Sequence, residues 1–132
     1  MILIEPTIKS DFNFAEVITD ITCAYFQTNL EIITQDRSKG RYSQARNFCI
    51  HFVRLYTNLT WVEMSDIFDR TPPTMLGNYN HIRGRLLMKD RRMYSKYMDV
   101  KHRIDMYLES IYPLTWLERK AYVAEARLTI VA

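Results

Sequence analysis

Thr74, Asn78, His81 and Arg85 follow one another at helical spacing, which puts a hydroxyl, a carboxamide, an imidazole and a guanidinium on one helix face. Such groups can hydrogen-bond to base edges or to phosphate oxygens. Gly77 and Gly84 share that face, where a missing side chain lets a phosphate approach the backbone or a neighbouring helix pack closely. For His81 the readings are a metal ligand, a phosphate contact and plain solvation. No second His or Cys stands at ligand spacing on the same helix, which leaves phosphate contact and solvation level. A second cluster, Arg37-Ser38-Lys39-Gly40-Arg41, is a short basic arm. An arm of this kind suits the negative potential of a narrow minor groove, and equally a solvated surface loop.

The obvious catalytic constellations are missing. There is no paired Cys/His motif, no nucleophile elbow and no GxxxxGK[ST] phosphate loop. The carboxylates form no recognisable set. Neither an enzyme nor a cofactor is expected.

Charge is unevenly placed. Residues 1–36 carry six acids against Lys9, while residues 37–103 carry fourteen Lys and Arg against five acids, a local net of +9. Residues 104–132 return to −1, so the overall +3 hides a basic middle between acidic ends. That middle points to a polyanionic partner.

Several elements must hold these residues. With 132 residues, 48% of them hydrophobic and 25% charged, the chain fits one globular domain. Three glycines and four prolines leave little room for β-turns. No strand alternation is long enough to trust, so the expected class is all-α, with six to seven helices. Asn13 and Glu16 suggest a capping box opening a helix over 14–27, with Val17, Ile21, Ala24 and Tyr25 buried. Leu30, Ile32 and Ile33 make a single helical turn. Residues 34–43 read as an exposed loop, and Ser43 as the cap of a helix over 43–57 striped by Phe48, Phe52, Leu55 and Tyr56.

Thr60-Trp61-Val62-Glu63 is a capping box for a short helix ending near Phe68. Met75, Tyr79, Ile82 and Leu86 define the buried stripe of a helix over 73–88, and Met93, Tyr97, Val100, Ile104 and Leu108 that of a helix over 90–109. Pro113 breaks the chain, and Thr115 to Glu118 form another box before a helix striped by Leu117, Ala121, Ala124 and Leu128. Cys23 and Cys49 fall inside helical patterns and read as buried thiols. No apolar run nears the roughly 18 residues of a membrane span, and no signal peptide is visible, so a cytoplasmic protein without a membrane partner is expected.

Pro72-Pro73 stands between two of these helices. A helix's first amides have no internal partner, so proline costs little there. Pro73 fits the first helical position, and Pro72, preceding a proline, is pushed toward an extended backbone. About four residues then separate the two helices, the spacing of a helix-turn-helix, whose second helix meets base edges with its N-terminal residues.

From Glu16 to Leu108 the chain resembles the C-terminal DNA-binding domain of the bacterial replication initiator DnaA, of the Trp-repressor-like helix-turn-helix type. The order carries the resemblance. A helix ends in CAYFQTNLEII, a basic loop and helix follow in DRSKGRYSQARNFCIHFVRLYTNLT, and WVEMSDIFDRTPPTM stands where the family has a short helix and its GRDHTTV motif. Arg70 falls on the motif's arginine and Thr74 on its second threonine, while Met75 replaces the core-facing valine. Thr71 and Pro72 replace the Asp-His pair that reads bases, and Pro73 replaces the first threonine. His81 falls on a basic phosphate-contacting position. Arg37 and Lys39 lie where the family inserts an arginine into the minor groove, and Arg46 and Asn47 match its Arg-Gln pair.

The resemblance implies a single domain over 1–132, with a helix-turn-helix core at 14–108 and an extra C-terminal helix at 109–132 that caps the core or dimerises. It implies binding to double-stranded DNA in replication or transcription regulation through Arg37, Lys39, Arg41, Arg46, Asn47, Arg70, Thr71, Thr74, Asn78, His81 and Arg85. A homodimer and a replication protein are the other partners it suggests. The chain has neither room for the family's ATPase module nor a phosphate loop, so a stand-alone version that is not itself an ATP-driven initiator is expected. The competing expectation is a helical adaptor that keeps the fold and binds protein.

Overall fold

The computed structural model describes residues 8–35 and 41–111. The protein is all-α. Its helices are α1 (Ile8–Tyr25), α2 (Leu30–Gln35), α3 (Arg41–Tyr56), α4 (Trp61–Phe68), α5 (Pro72–Leu87) and α6 (Arg91–Ile111). The loop expected over 34–43 is shorter at both ends, since residues 34–35 belong to α2 and 41–43 to α3; residues 36–40, Pro113, and the second capping box with its helix lie outside the described residues. Among the described residues no helix is long and apolar enough to cross a membrane.

The organising element is α3. Ala45, Phe48, Cys49, Ile50, Phe52, Val53 and Tyr56 are all buried, too many for one narrow stripe, because α1 and α5 cover different sides of this helix. Phe48, Phe52 and Tyr97 form the aromatic heart: Phe52 stacks on Tyr97 at 4.8 Å between ring centroids and meets Phe48 edge-on at 6.0 Å. Pairs of this geometry contribute about 0.5–1.5 kcal/mol beyond their buried area. In the α6 stripe Met93, Tyr97, Val100 and Ile104 are buried as their spacing predicts, while the side chain of Leu108, its fifth member, lies outside the described residues.

At α1 the expectation needs correcting. The helix starts at Ile8, so Asn13 is an interior, exposed residue rather than a cap. Its buried face is Phe14, Ala15, Ile18, Thr19, Thr22 and Cys23, while Ala24 is exposed and Val17, Ile21 and Tyr25 are half-buried. Two threonines inside the buried face disguised it. The Thr22 hydroxyl lowers its burial cost by donating to the Ile18 carbonyl at 2.8 Å. Cys23 and Cys49 are free, buried thiols facing each other across α1 and α3. Helix α3 starts two residues before Ser43.

Candidate nucleic-acid interface

The α4–α5 pair is built from local rules. Thr60 accepts the Glu63 amide at 3.1 Å, and Glu63 Oε1 accepts the Thr60 amide at 2.9 Å, which completes the expected capping box. Asp69 ends α4 in the left-handed region (φ 51°), and its amide donates to the Ser65 carbonyl at 3.0 Å. Three residues, 69–71, separate the helices.

Here the proline assignment shifts by one. Pro72, not Pro73, opens α5, and the extended residue is Thr71 (φ −72°, ψ 150°). The steric effect of a following proline is the one expected, acting one position earlier. Thr71 is the N-cap: its hydroxyl accepts the Thr74 amide at 3.4 Å, and its carbonyl accepts the Met75 amide at 3.0 Å. The first turn of α5 is therefore donor-free. Pro72 and Pro73 have no N–H, and the next two amides are used. An anion at this end must be met by side chains, because the backbone donors usual at a helix N-terminus are absent.

The inner face of α5 is fixed by Met75, Tyr79 and Ile82, all buried. Tyr79 stacks on the His51 ring of α3 at 5.0 Å with an 18° interplanar angle, and Trp61 of α4 meets its edge at 5.9 Å. Arg54 lies over Trp61 at 4.6 Å and donates to the Leu59 carbonyl at 2.9 Å, so α3, α4 and α5 lock around one aromatic group. The outer face presents Thr74, Gly77, His81 and Arg85 exposed, with Asn78 and Gly84 half-buried. A Cβ at either glycine would meet nothing within 4 Å, so neither is required by packing inside this chain.

The remaining candidates divide. Arg46 is buried, and its Nη1 donates to the Ile33 carbonyl at 3.0 Å. Arg70 Nη1 donates to the Thr34 carbonyl and to the Asp69 carbonyl, each at 2.9 Å. Both guanidiniums satisfy carbonyls at the C-terminal end of α2, where a cation is favoured, which gives each of them an anchoring role in the fold. Asn47 is half-buried near the start of α3. Thr71 is exposed and serves as the cap. Arg85 pairs with Asp90, which holds that carboxyl below its ordinary range. Arg37 and Lys39 lie outside the described residues; Arg41 begins α3, and its side chain is not described.

One basic group went unassigned in the sequence reading. Lys89, Arg91 and Arg92 are all exposed at the α5–α6 corner, and the run KDRR could have flagged them. By contrast, Pro72 to Asn80 contains no charged residue. Among the described residues no three His, Cys, Asp or Glu side chains come together as a metal-binding group. No family model, curated protein or solved structure matches the chain.

Proposed function

We propose that this protein binds double-stranded DNA, with the exposed face of α5 in the major groove and the 37–41 arm in the minor groove, as a replication- or transcription-related regulator. The observation that carries the reading is the two-faced construction of α5. Its inner residues are locked to α3 and α4, while Thr74, Asn78 and His81 are offered outward just beyond a three-residue turn. In this reading uncharged groups at the N-terminal half of α5 meet base edges, and attraction to phosphate comes from the basic segments around it. Arg46 and Arg70 contribute indirectly, by fixing the end of α2 from which residues 36–40 continue.

The adaptor reading draws on a specific feature: Leu76 is 44% exposed on the same helix, where an apolar partner could cover it. Titration of the full chain against random duplex DNA over a range of salt separates the two. The +9 segment leads to an expected fall in log affinity with log salt of about 0.9 per neutralised phosphate, summed over several contacts. No binding at low salt, or binding indifferent to salt, favours the adaptor.

A further inference from the structure

Residues 81–98 carry six Lys and Arg against one acid, Asp90, whereas Pro72 to Asn80 carry no charge. The cations gather where α5 turns into α6, and the turn is tightly built. Lys89 takes the left-handed region (φ 58°), its amide donates to the Leu86 carbonyl at 3.1 Å, and the Asp90 amide donates to the Arg85 carbonyl at 3.2 Å. The Asp90 carboxylate is engaged by Arg85 and by the Met93 amide. Lys89, Arg91 and Arg92 are exposed, and among the described residues no ion pair includes any of them. Lys89 follows the end of α5, where the helix dipole favours a cation. Arg91 and Arg92 stand in the first turn of α6, where the dipole disfavours positive charge and no acidic residue lies. Two exposed arginines set against the local electrostatic preference answer to something other than folding.

Resting on the DNA-binding reading above, we infer that Lys89, Arg91 and Arg92 grip the phosphate backbone of the same duplex, outside the base pairs met by the N-terminal half of α5. Thr74, Asn78, His81, Arg85 and Met88 recur at intervals of three and four, so the outer face of α5 runs on into the corner, where Met88 is 82% exposed. From Asn78 to Met88 the helix rises about 15 Å. That exceeds the roughly 12 Å width of the major groove, so a helix with Asn78 at the bases carries the corner to the bordering backbone. Guanidiniums suit the task, since each can meet two phosphate oxygens with paired N–H donors. Such contacts add affinity and fix orientation without reading sequence.

The test uses the full chain, random duplex DNA and a range of salt. In the double variant Arg91→Glu with Arg92→Glu, two readouts should part. The melting temperature should hold or rise, because carboxylates suit the first turn of a helix. Duplex affinity at low salt should fall by about tenfold or more. With glutamine at both positions, the slope of log affinity against log salt should shrink by about 1.8, at about 0.9 for each phosphate no longer neutralised. Arg103→Glu, an exposed cation beside Tyr25 on the α1 side of α6, should leave the slope nearly unchanged. Wild-type affinity and slope in both double variants would overturn the inference and leave the DNA-binding reading standing. Wild-type protein without salt-dependent duplex binding would overturn both. A marked fall in melting temperature would return the arginines to folding, and an equal slope change in Arg103→Glu would reduce the effect to net charge; either overturns the assignment. So would loss of binding to phosphatidylserine vesicles with duplex affinity unchanged, which would assign the corner to a lipid surface.

Discussion

Arg46, buried on α3, donates from Nη1 to the main-chain carbonyl of Ile33 on α2 at 3.0 Å. This bond ties a six-residue helix, too short to be stable alone, to the central helix. Arg46→Ala should therefore lower stability by about 2–4 kcal/mol, combining a lost charged hydrogen bond with lost packing of the side-chain stem. Arg70→Ala, at a half-buried site, should cost about 1–2 kcal/mol. Chemical denaturation of both variants checks the order; a larger loss at Arg70 would show that the main anchor of α2 lies there.

Gly77→Ala separates folding from binding. Its added Cβ meets nothing, and alanine is favoured over glycine in a helix by about 1 kcal/mol, so the melting temperature should rise. If DNA lies close against α5, duplex affinity should fall in the same variant. A gain in stability with unchanged affinity would move the interface off this face.

Asn78→Ala and the pair Arg37→Ala with Lys39→Ala should differ in kind. Loss of the carboxamide should reduce discrimination at one base position by about 1–3 kcal/mol. Loss of the basic groups should weaken binding to most sequences and lessen any preference for narrow-groove A·T tracts. Selection from random duplexes reads both effects, and identical uniform losses would contradict the division.

Asp90 gives a pH dependence. Arg85 and the Met93 amide both donate to its carboxylate, the latter at 3.2 Å, and Arg85 is the main cause of its lowered pKa. A depressed folded-state value means that the stabilisation is present above the ordinary carboxylate pKa and is lost as pH falls through the depressed value. Asp90→Asn keeps a capping oxygen but no charge. Its melting temperature should sit below wild type at neutral pH, and the gap should close in acid. A gap independent of pH would assign the effect to capping geometry.

The thiols of Cys23 and Cys49 lie 3.8 Å apart. Hydrogen bonding from Cys49 lowers the Cys23 pKa, whereas burial pushes the Cys49 thiol well up. Alkylation of the native protein should be slow at both and reach Cys23 first as pH rises, since the thiolate is the reactive form. Mass spectrometry of timed iodoacetamide reactions follows the order, and earlier labelling of Cys49 would reverse the assignment.

What the sequence determined alone was set within about one helical turn, though not every local signal held: the Asn13–Glu16 pair lies inside α1 rather than capping it. The Thr60–Glu63 box, the helix start beside two prolines, and the 3.6-residue stripes of α5 and α6 depend on neighbours three or four residues away. The all-α class and the inner face of α5 followed directly. The structure moved the α5 start by one residue, because Thr71 is both extended and capping, and that distinction is a matter of backbone angles. Tertiary structure decided the fate of the long polar side chains. Arg46 bonds to a residue 13 positions away and Arg70 to one 36 positions away, and no local rule fixes contacts at those separations. The buried face of α1 was hidden for a related reason: Thr22 looks polar in the sequence, but its hydroxyl is satisfied by its own helix, so packing against α3 could bury it.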